Sequence, residues 1–419
     1  MKWAGEWKRQ FSSFNRNVRL YMLGNVLIQV GMGIFMVMYN LYIRELGMPE
    51  TVNGKVISMT ALALAIVLVP AGFLSDRIGR KWLIVGGSVL TACTLFYRGI
   101  AITETPIIFA ALLTGLFMAF VQVSGIPFLA ENSSPGERVH LFSINFAFVT
   151  IANVVGSLLG GIIADIMETV GSLSTVDAIR CSLIAGATIF TIGLLPFFKL
   201  QEKSAKPAEK RLKKPLTEVS GMDDTLKRNL IVIFHFSFAS LLIGFGSGLV
   251  VPYLNLYFAN RFDASNSYIG FVLSLGSAMT AIAVMIGPAL SKRVGKVKAL
   301  ILFQMLSIPF LLLTAYTTSI WLASLGFLLR QALMNAGNPL QSAIAMEVVS
   351  DKYKGLANSM NQTVFNIGWA TMGPVATGLV VVQGAYWGYA LAFTITAGLY
   401  VLSSLYYYFI FGRRKLASE

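Results

Sequence analysis

The stretch "AGFLSDRIGRK", Ala71 to Lys81, carries four charges, Asp76, Arg77, Arg80 and Lys81, between two long apolar runs. The chain of 419 residues around it is 56% hydrophobic and only 12% charged. Its mean hydropathy of +0.70 is far above that of a soluble domain. A short charged loop in such a chain marks where it leaves an apolar phase. On either side, segments of about 20 apolar residues recur, long enough to cross ~30 Å of hydrocarbon as helices. Backbone groups in lipid must be satisfied internally, so a span is a helix or part of a closed barrel. Barrel strands alternate over ~10 residues, whereas these segments are continuously apolar. The expected fold class is therefore all-α integral membrane.

Twelve spans are expected, at approximately 18–43, 53–74, 82–101, 106–131, 139–164 and 179–198, then 229–258, 266–290, 298–317, 320–347, 355–381 and 385–411. The first run is too long for the core of a signal peptide. With the N-terminus inside, cytoplasmic segments hold 27 of the 33 Lys and Arg, and the external side only Arg44, Lys55, Arg180 and Arg261. That asymmetry puts both termini in the cytoplasm. The net charge of +14 then reflects topology and anionic lipid, not nucleic acid. Trp3, Trp7, Phe11 and Phe14 recur at helical spacing in the basic N-terminal segment, 1–17. They fit either an interfacial helix or a frayed tail. Residues 199–228, with nine basic and five acidic residues, read as a flexible cytoplasmic linker between two groups of six spans, 18–198 and 229–411. A tail, 412–419, follows. Cys93 and Cys181 lie in different spans. No disulfide, metal site or cofactor motif is expected.

The second half repeats the first at an offset of 216. Gly54 falls on Gly270, "LSDRIGR" at Leu74–Arg80 on "LSKRVGK" at Leu290–Lys296, Glu131 on Glu347, Arg138 on Lys354 and Asn145 on Asn361. "NLY" at Asn40–Tyr42 recurs at Asn255–Tyr257, one residue out of register. Chemically unusual positions sharing one offset indicate duplication, hence two similar six-helix bundles with a cleft between them.

On these residues the chain resembles the major facilitator superfamily. Gly72, Leu74, Asp76, Arg77, Gly79, Arg80 and Lys81 match in order the signature G-x-L-a-D-R-x-G-R-K between its second and third helices. Leu290–Lys296 supplies the weaker second copy, and "ENSSPGER", with Glu131, Pro135 and Arg138, is similar to the pattern after the fourth helix. The resemblance implies two pseudo-symmetric bundles that rock about a central site, with helices one, four, seven and ten lining the cavity. It also implies that the signature loop is a conformational latch.

The residues support that reading physically. Gly72 lets a neighbouring helix approach, and Gly79 permits a tight turn. Asp76 is too close to hydrocarbon to stay unpaired. Arg77 and Arg80 can reach carboxylates such as Glu131. The expected gating set is Gly72, Asp76, Arg77, Arg80, Glu131 and Arg138, with Arg293, Glu347 and Lys354 in the second half. Each glutamate is expected to have a basic partner.

Arg330 is the one charge deep in a span. A central Arg costs ~2.5–3.5 kcal/mol on insertion scales, so it must face water, an acid or a ligand, or staple helices together. Asn338 and Gln341 follow on the same face, with Asn335 nearby and Pro339 placed to bend the helix. Asn361 and Gln362 in the eleventh span and Asn25 and Gln29 in the first complete the expected substrate-binding set, although such amides also bond helix to helix. Arg98, nearer the outside, is expected to snorkel outward.

A secondary transporter for a small organic solute is the leading reading, with an anionic solute as its finer form, a coupling proton or other ion, membrane lipid around it and a monomeric state. Multidrug efflux is the alternative, favoured by 29 Phe and 17 Met. Against it, drug–proton antiporters of the superfamily carry Gly-Pro in the fifth helix, where this chain has Gly156–Ser157. A non-transporting sensor would carry a large soluble appendage. An enzyme would show a nucleophile, metal or nucleotide motif, and none is present.

Overall fold

The computed structural model describes residues 14–134, 138–202, 224–349 and 354–412. Every regular element among them is helical. The first group is α1 (Arg16–Glu45), α2 (Glu50–Ile78), α3 (Arg80–Ile100), α4 (Glu104–Glu131), α5 (Arg138–Thr169) and α6 (Thr175–Ile192, continued as Leu194–Phe198). In the second, α7 (Asp224–Val250) passes through one 3₁₀ turn, Val251–Tyr253, into Leu254–Phe262. Then come α8 (Asn266–Val294), α9 (Lys296–Tyr316) and α10, which is broken into Ile320–Ala336 and Asn338–Val348. Residues 354–407 form two helices, α11 (354–383) and α12 (385–407), divided by a kink at Gly384 (φ 75°, ψ 170°). Among the described residues, ten stretches are apolar and long enough to cross a membrane. α11 and α12 share one of these, and the broken α10 is absent from them, which accounts for twelve spans.

Small polar residues start several helices: the side chains of Asn15, Ser174 and Ser265 accept from the backbone N–H groups of Asn17, Asp177 and Tyr268. Glycines end others. α2 and α3 are separated only by Gly79 (φ 105°, ψ 148°), and α8 and α9 only by Gly295 (φ 86°, ψ 155°). These two glycines sit 216 apart and adopt nearly the same left-handed conformation, so the repeat is preserved in backbone as well as in residue type. What the sequence suggested as a charged loop is one residue long. Asp76 and Arg77 belong to the last turn of α2.

Within each half the helices pack closely, α1 on α5 and α6 and α7 on the α11–α12 segment, while the halves meet along α2–α11 and α5–α8. Large apolar side chains such as Trp321, Phe234 and Ile66 are more than 60% exposed, as a surface bathed in hydrocarbon requires. Arg98 departs from expectation: it is buried, its guanidinium 3.8 Å from the Tyr39 ring centre. A cation over an aromatic face is stabilised without reaching water, so the chain turns Arg98 inward. The start of the linker is also more ordered than its composition suggests, because Asn17 Nδ2 donates to the Gln201 carbonyl (2.8 Å) and Gln201 N–H donates back to Asn17 Oδ1 (3.0 Å). At its far end, residues 224–228 begin α7. Residues 1–13 and 413–419, which hold the tryptophan segment and the basic tail, lie outside the described residues.

Candidate functional site

The two bundles touch at the charge-poor end. There Gly54 of α2 crosses α11 so closely that a Cβ would lie 2.7 Å from the Gly373 carbonyl oxygen. Gly270 of α8 crosses α5 in the same way, with a Cβ 2.5 Å from the Ser157 carbonyl oxygen. Gly54 maps onto Gly270 and Ser157 onto Gly373 at the same offset of 216, so the two crossings are pseudo-symmetric copies. Small residues allow backbones in lipid to approach this closely. Polar contacts join the bundles at the same end: Asn260 Nδ2 donates to Glu50 Oε1 (2.7 Å) and Ser267 N–H to Asp165 Oδ2 (2.9 Å).

Below this seam, toward the basic end, α1 and α5 flank an apolar cavity of about 370 Å³. It is lined by Met22, Leu23, Val26 and Val30 of α1 and by Phe148, Ile151, Ala152 and Val155 of α5. Val26, Val30, Gly33, Val37 and Asn40 follow at alternating spacings of four and three, so they share one stripe of α1. Its upper part reaches α7, through the Val37 carbonyl and Asn40; its lower part lines the cavity. The sequence reading sought polar residues here and passed over this valine stripe, whose four-three spacing was the available signal.

The expected substrate-binding residues do not form one cluster. Asn25 Nδ2 donates to Asn145 Oδ1 (3.5 Å), and Asn153 Nδ2 to Gln29 Oε1 (3.4 Å), so the α1 amides staple α1 to α5. Asn335 donates to Thr280 Oγ1 of α8 (3.4 Å), and Gln341 to Ser240 Oγ of α7 (2.9 Å). Asn338 donates to Asn335 Oδ1 (3.1 Å). Asn361 buries an unpartnered Oδ1, and Gln362 is exposed. Arg330 is only 1% exposed. Its Nη2 donates to Gln331 Oε1, Tyr400 of α12 lies against the guanidinium, and Phe327 is beneath it. Arg330 thus points into its own bundle, and the expectation that it faces a central cavity does not hold for this conformation. Gly337, where α10 divides, keeps near-helical angles (φ −75°, ψ −21°), yet the contacts of Arg330 differ from those of Asn338 and Gln341. His235 Nδ1 is 2.6 Å from Tyr406 Oη, another helix-to-helix contact.

At the basic end, Arg80 Nε donates to Glu131 Oε1 (3.2 Å) and Arg80 Nη1 to Ser75 Oγ (3.0 Å), while Ser75 Oγ bonds Ser124 Oγ (2.8 Å). This network ties α2, α3 and α4 together inside one bundle. Arg80 is one of the two arginines expected to reach Glu131, and it does so here. Arg77 and Arg293 are exposed at equivalent places. The side chains of Asp76, Arg138, Glu347 and Lys354 fall outside the described residues; their backbones lie in the last turn of α2, at the start of α5, in the last turn of α10 and at the start of α11. Gly72 is not a point of close approach, since a Cβ there would make an ordinary contact at 3.7 Å with Val123.

A profile of the Major Facilitator Superfamily matches residues 21–241 and 236–419. The chain belongs to the major facilitator superfamily. Among superfamily relatives, the multidrug resistance protein MdtG of Salmonella choleraesuis (strain SC-B67) is 26% identical, covering 97% of this chain and 98% of that protein. MdtG of Salmonella arizonae is similar to the same degree. The fold is shared with the nucleoside transporter NupG (TM-score 0.75, 17% identity, 95% of this chain and 100% of NupG). It is also shared with a bacterial homologue of the human lysosomal transporter Spinster, described as inward-facing and unoccupied (TM-score 0.73, 14% identity, 94% and 95%).

The superfamily signature has a further member here that sequence reading missed. Glu202, just after α6, accepts from the backbone N–H groups of Arg80 (3.0 Å) and Lys81 (2.9 Å), capping the first turn of α3 with a carboxylate. A Cβ on Gly79 would lie 2.9 Å from the Glu202 carboxyl carbon, so the signature glycine makes room for the cap as well as for the turn. Nothing local links positions more than 120 apart, and only the fold brings them together.

Proposed function

We propose that this transporter exports small amphipathic organic molecules, taking them from the cytoplasmic side in the manner of a multidrug carrier. The observation that carries the reading is the wholly apolar lining of the α1–α5 cavity, on the α1 stripe that reaches the opposite bundle. Apolar, adaptable walls bind by shape-tolerant burial and discriminate weakly among solutes. The likeness to the Salmonella multidrug proteins supports the same choice over the anionic-solute reading, which depended on a cavity-facing Arg330. The basic end is proposed as cytoplasmic, because it holds most of the Lys and Arg. Contact at the opposite end then corresponds to a state closed to the outside. For coupling we propose a proton or another ion, with no carrier residue assigned. The transporter is proposed to act as a monomer.

The test loads cells making the transporter with Nile red (neutral), ethidium (cationic) or fluorescein (anionic) and follows the loss of dye. Energy-dependent export of Nile red, abolished by Val26→Asp in the cavity lining, is the expected result. Export of fluorescein alone, abolished by Arg330→Gln and indifferent to Val26→Asp, would restore the anionic reading.

A further inference from the structure

We propose that Asn40 and Asn255 form a reciprocal amide latch that holds the transporter closed to the outside. Asn40 Nδ2 donates to the carbonyl of Pro252 (2.7 Å), and Asn255 Nδ2 donates to the carbonyl of Val37 (2.6 Å). Each carbonyl belongs to the residue three before the other asparagine, so the two bonds are images of each other across the pseudo-two-fold. The amides also meet directly, Asn40 Nδ2 to Asn255 Oδ1 at 3.3 Å. Both side chains are buried, at 7% and 2% exposure, one on each bundle.

The break in α7 equips one side of the latch. Leu256 N–H would ordinarily bond the carbonyl four residues back, that of Pro252. It bonds the Asn255 side-chain Oδ1 instead (2.9 Å), which leaves the Pro252 carbonyl for Asn40. Asn255 thus caps its own helix restart with its oxygen and grips α1 with its nitrogen. Asparagine suits both tasks because it offers donor and acceptor on one short arm. Aspartate has no donor, and the longer glutamine would not fit so close a seam. The latch closes the way between the halves directly above the Val26–Val30 part of the stripe, and rocking the halves apart at this end must break both bonds. The repeated "NLY" therefore has a role distinct from the charged signature at the other end.

The proposal needs no transported solute for its test. In a background with Cys93 and Cys181 replaced by serine, Thr377→Cys places a reporter at the seam, where the native side chain is 2% exposed. Right-side-out vesicles are treated with a membrane-impermeant maleimide, and Thr318→Cys in an exposed loop serves as the always-labelled control. Asn40→Ala and Asn255→Ala are each expected to raise the Thr377→Cys labelling rate about tenfold relative to the control, and the double variant further. Asn40→Asp, the same shape without the donor, is expected to match Asn40→Ala. Folded variants whose Thr377→Cys labelling stays at the parent rate would overturn the latch. Should the alanine variants fail to fold, Asn40→Cys/Asn255→Cys bridged by a short bifunctional thiol reagent decides the matter. The bridged protein is expected to keep Thr377→Cys-type seam positions unlabelled and to stop dye export, with both restored by a cleavable reagent's removal; unchanged Nile red export after complete bridging would refute the proposal.

Discussion

Gly270→Ala is the substitution that loads the seam most cleanly. The new Cβ would sit 2.5 Å from the Ser157 carbonyl oxygen, whereas ordinary contact begins at 3.4 Å, so the crossing is short by about 0.9 Å. The obstructing atom is backbone, and no side chain can swing aside. If α8 and α5 part by that amount and carry the bundles with them, the 2.6 and 2.7 Å bonds of Asn255 and Asn40 stretch to about 3.5 Å or more, beyond a useful hydrogen bond. Each such bond contributes ~1 kcal/mol net, so losing both favours the outward-open state by ~2 kcal/mol, roughly a 30-fold change in its ratio to the closed state. Spin labels at Leu173→Cys and Thr318→Cys, in exposed loops of the two halves at that end, report the separation by pulsed electron resonance. A second, longer distance should appear in Gly270→Ala. Gly378→Ala in α11, where a Cβ meets nothing within 4 Å, should leave the distribution unchanged. A folded Gly270→Ala protein with the parent's distances would refute the reasoning.

Gly79→Ala and Gly295→Ala both force alanine into a left-handed conformation, at roughly 1 kcal/mol or more each. Gly79→Ala should cost more, because it also crowds Glu202 while Gly295 has open space, and thermal unfolding in detergent would rank them. Glu202→Ala removes the carboxylate cap of α3 and should lower stability by ~1 kcal/mol, with a smaller loss for Glu202→Gln, read by the same melts. Arg330→Gln should reduce thermal stability by ~1–3 kcal/mol while leaving Nile red affinity near the parent value, since the buried guanidinium contacts Gln331 and Tyr400 inside its own bundle. Weakened dye binding without a stability loss would return Arg330 to the cavity.

The fold was largely legible because it is written in long-range periodicities that lipid enforces. Twelve apolar runs and an offset of 216 point to the helices and the relation of the halves, and Gly79 and Gly295 show that relation down to backbone angles. The site was less legible. The cost argument for Arg330 left open whether compensation comes from water, a ligand or a neighbouring helix. Tyr400, 70 residues further on, lies against it, and no local pattern announces that neighbour. The amides at Asn25, Gln29, Asn335 and Gln341 were visible as polar residues in apolar helices, but whether an amide faces a partner helix or a cavity depends on helix rotation. Within α10 that rotation is set by packing against α7, α8 and α12. The Asn40–Asn255 pair was half visible, as a repeat one residue out of register.

That pair also bears on ancestry. An interface in which residue i touches j while j touches i is the isologous geometry of a homodimer. In a dimer of identical ancestral halves, one substitution creating the asparagine would have installed two bonds at once, and its equilibrium effect would have entered squared. In a single chain that coupling is absent: each asparagine can change alone. The Pro252 carbonyl that Asn40 meets lies in a 3₁₀ turn, while the Val37 carbonyl that Asn255 meets lies in unbroken helix. Carrying both halves in one chain makes the two contacts independently adjustable, so the time spent shut at this end can be set one bond at a time.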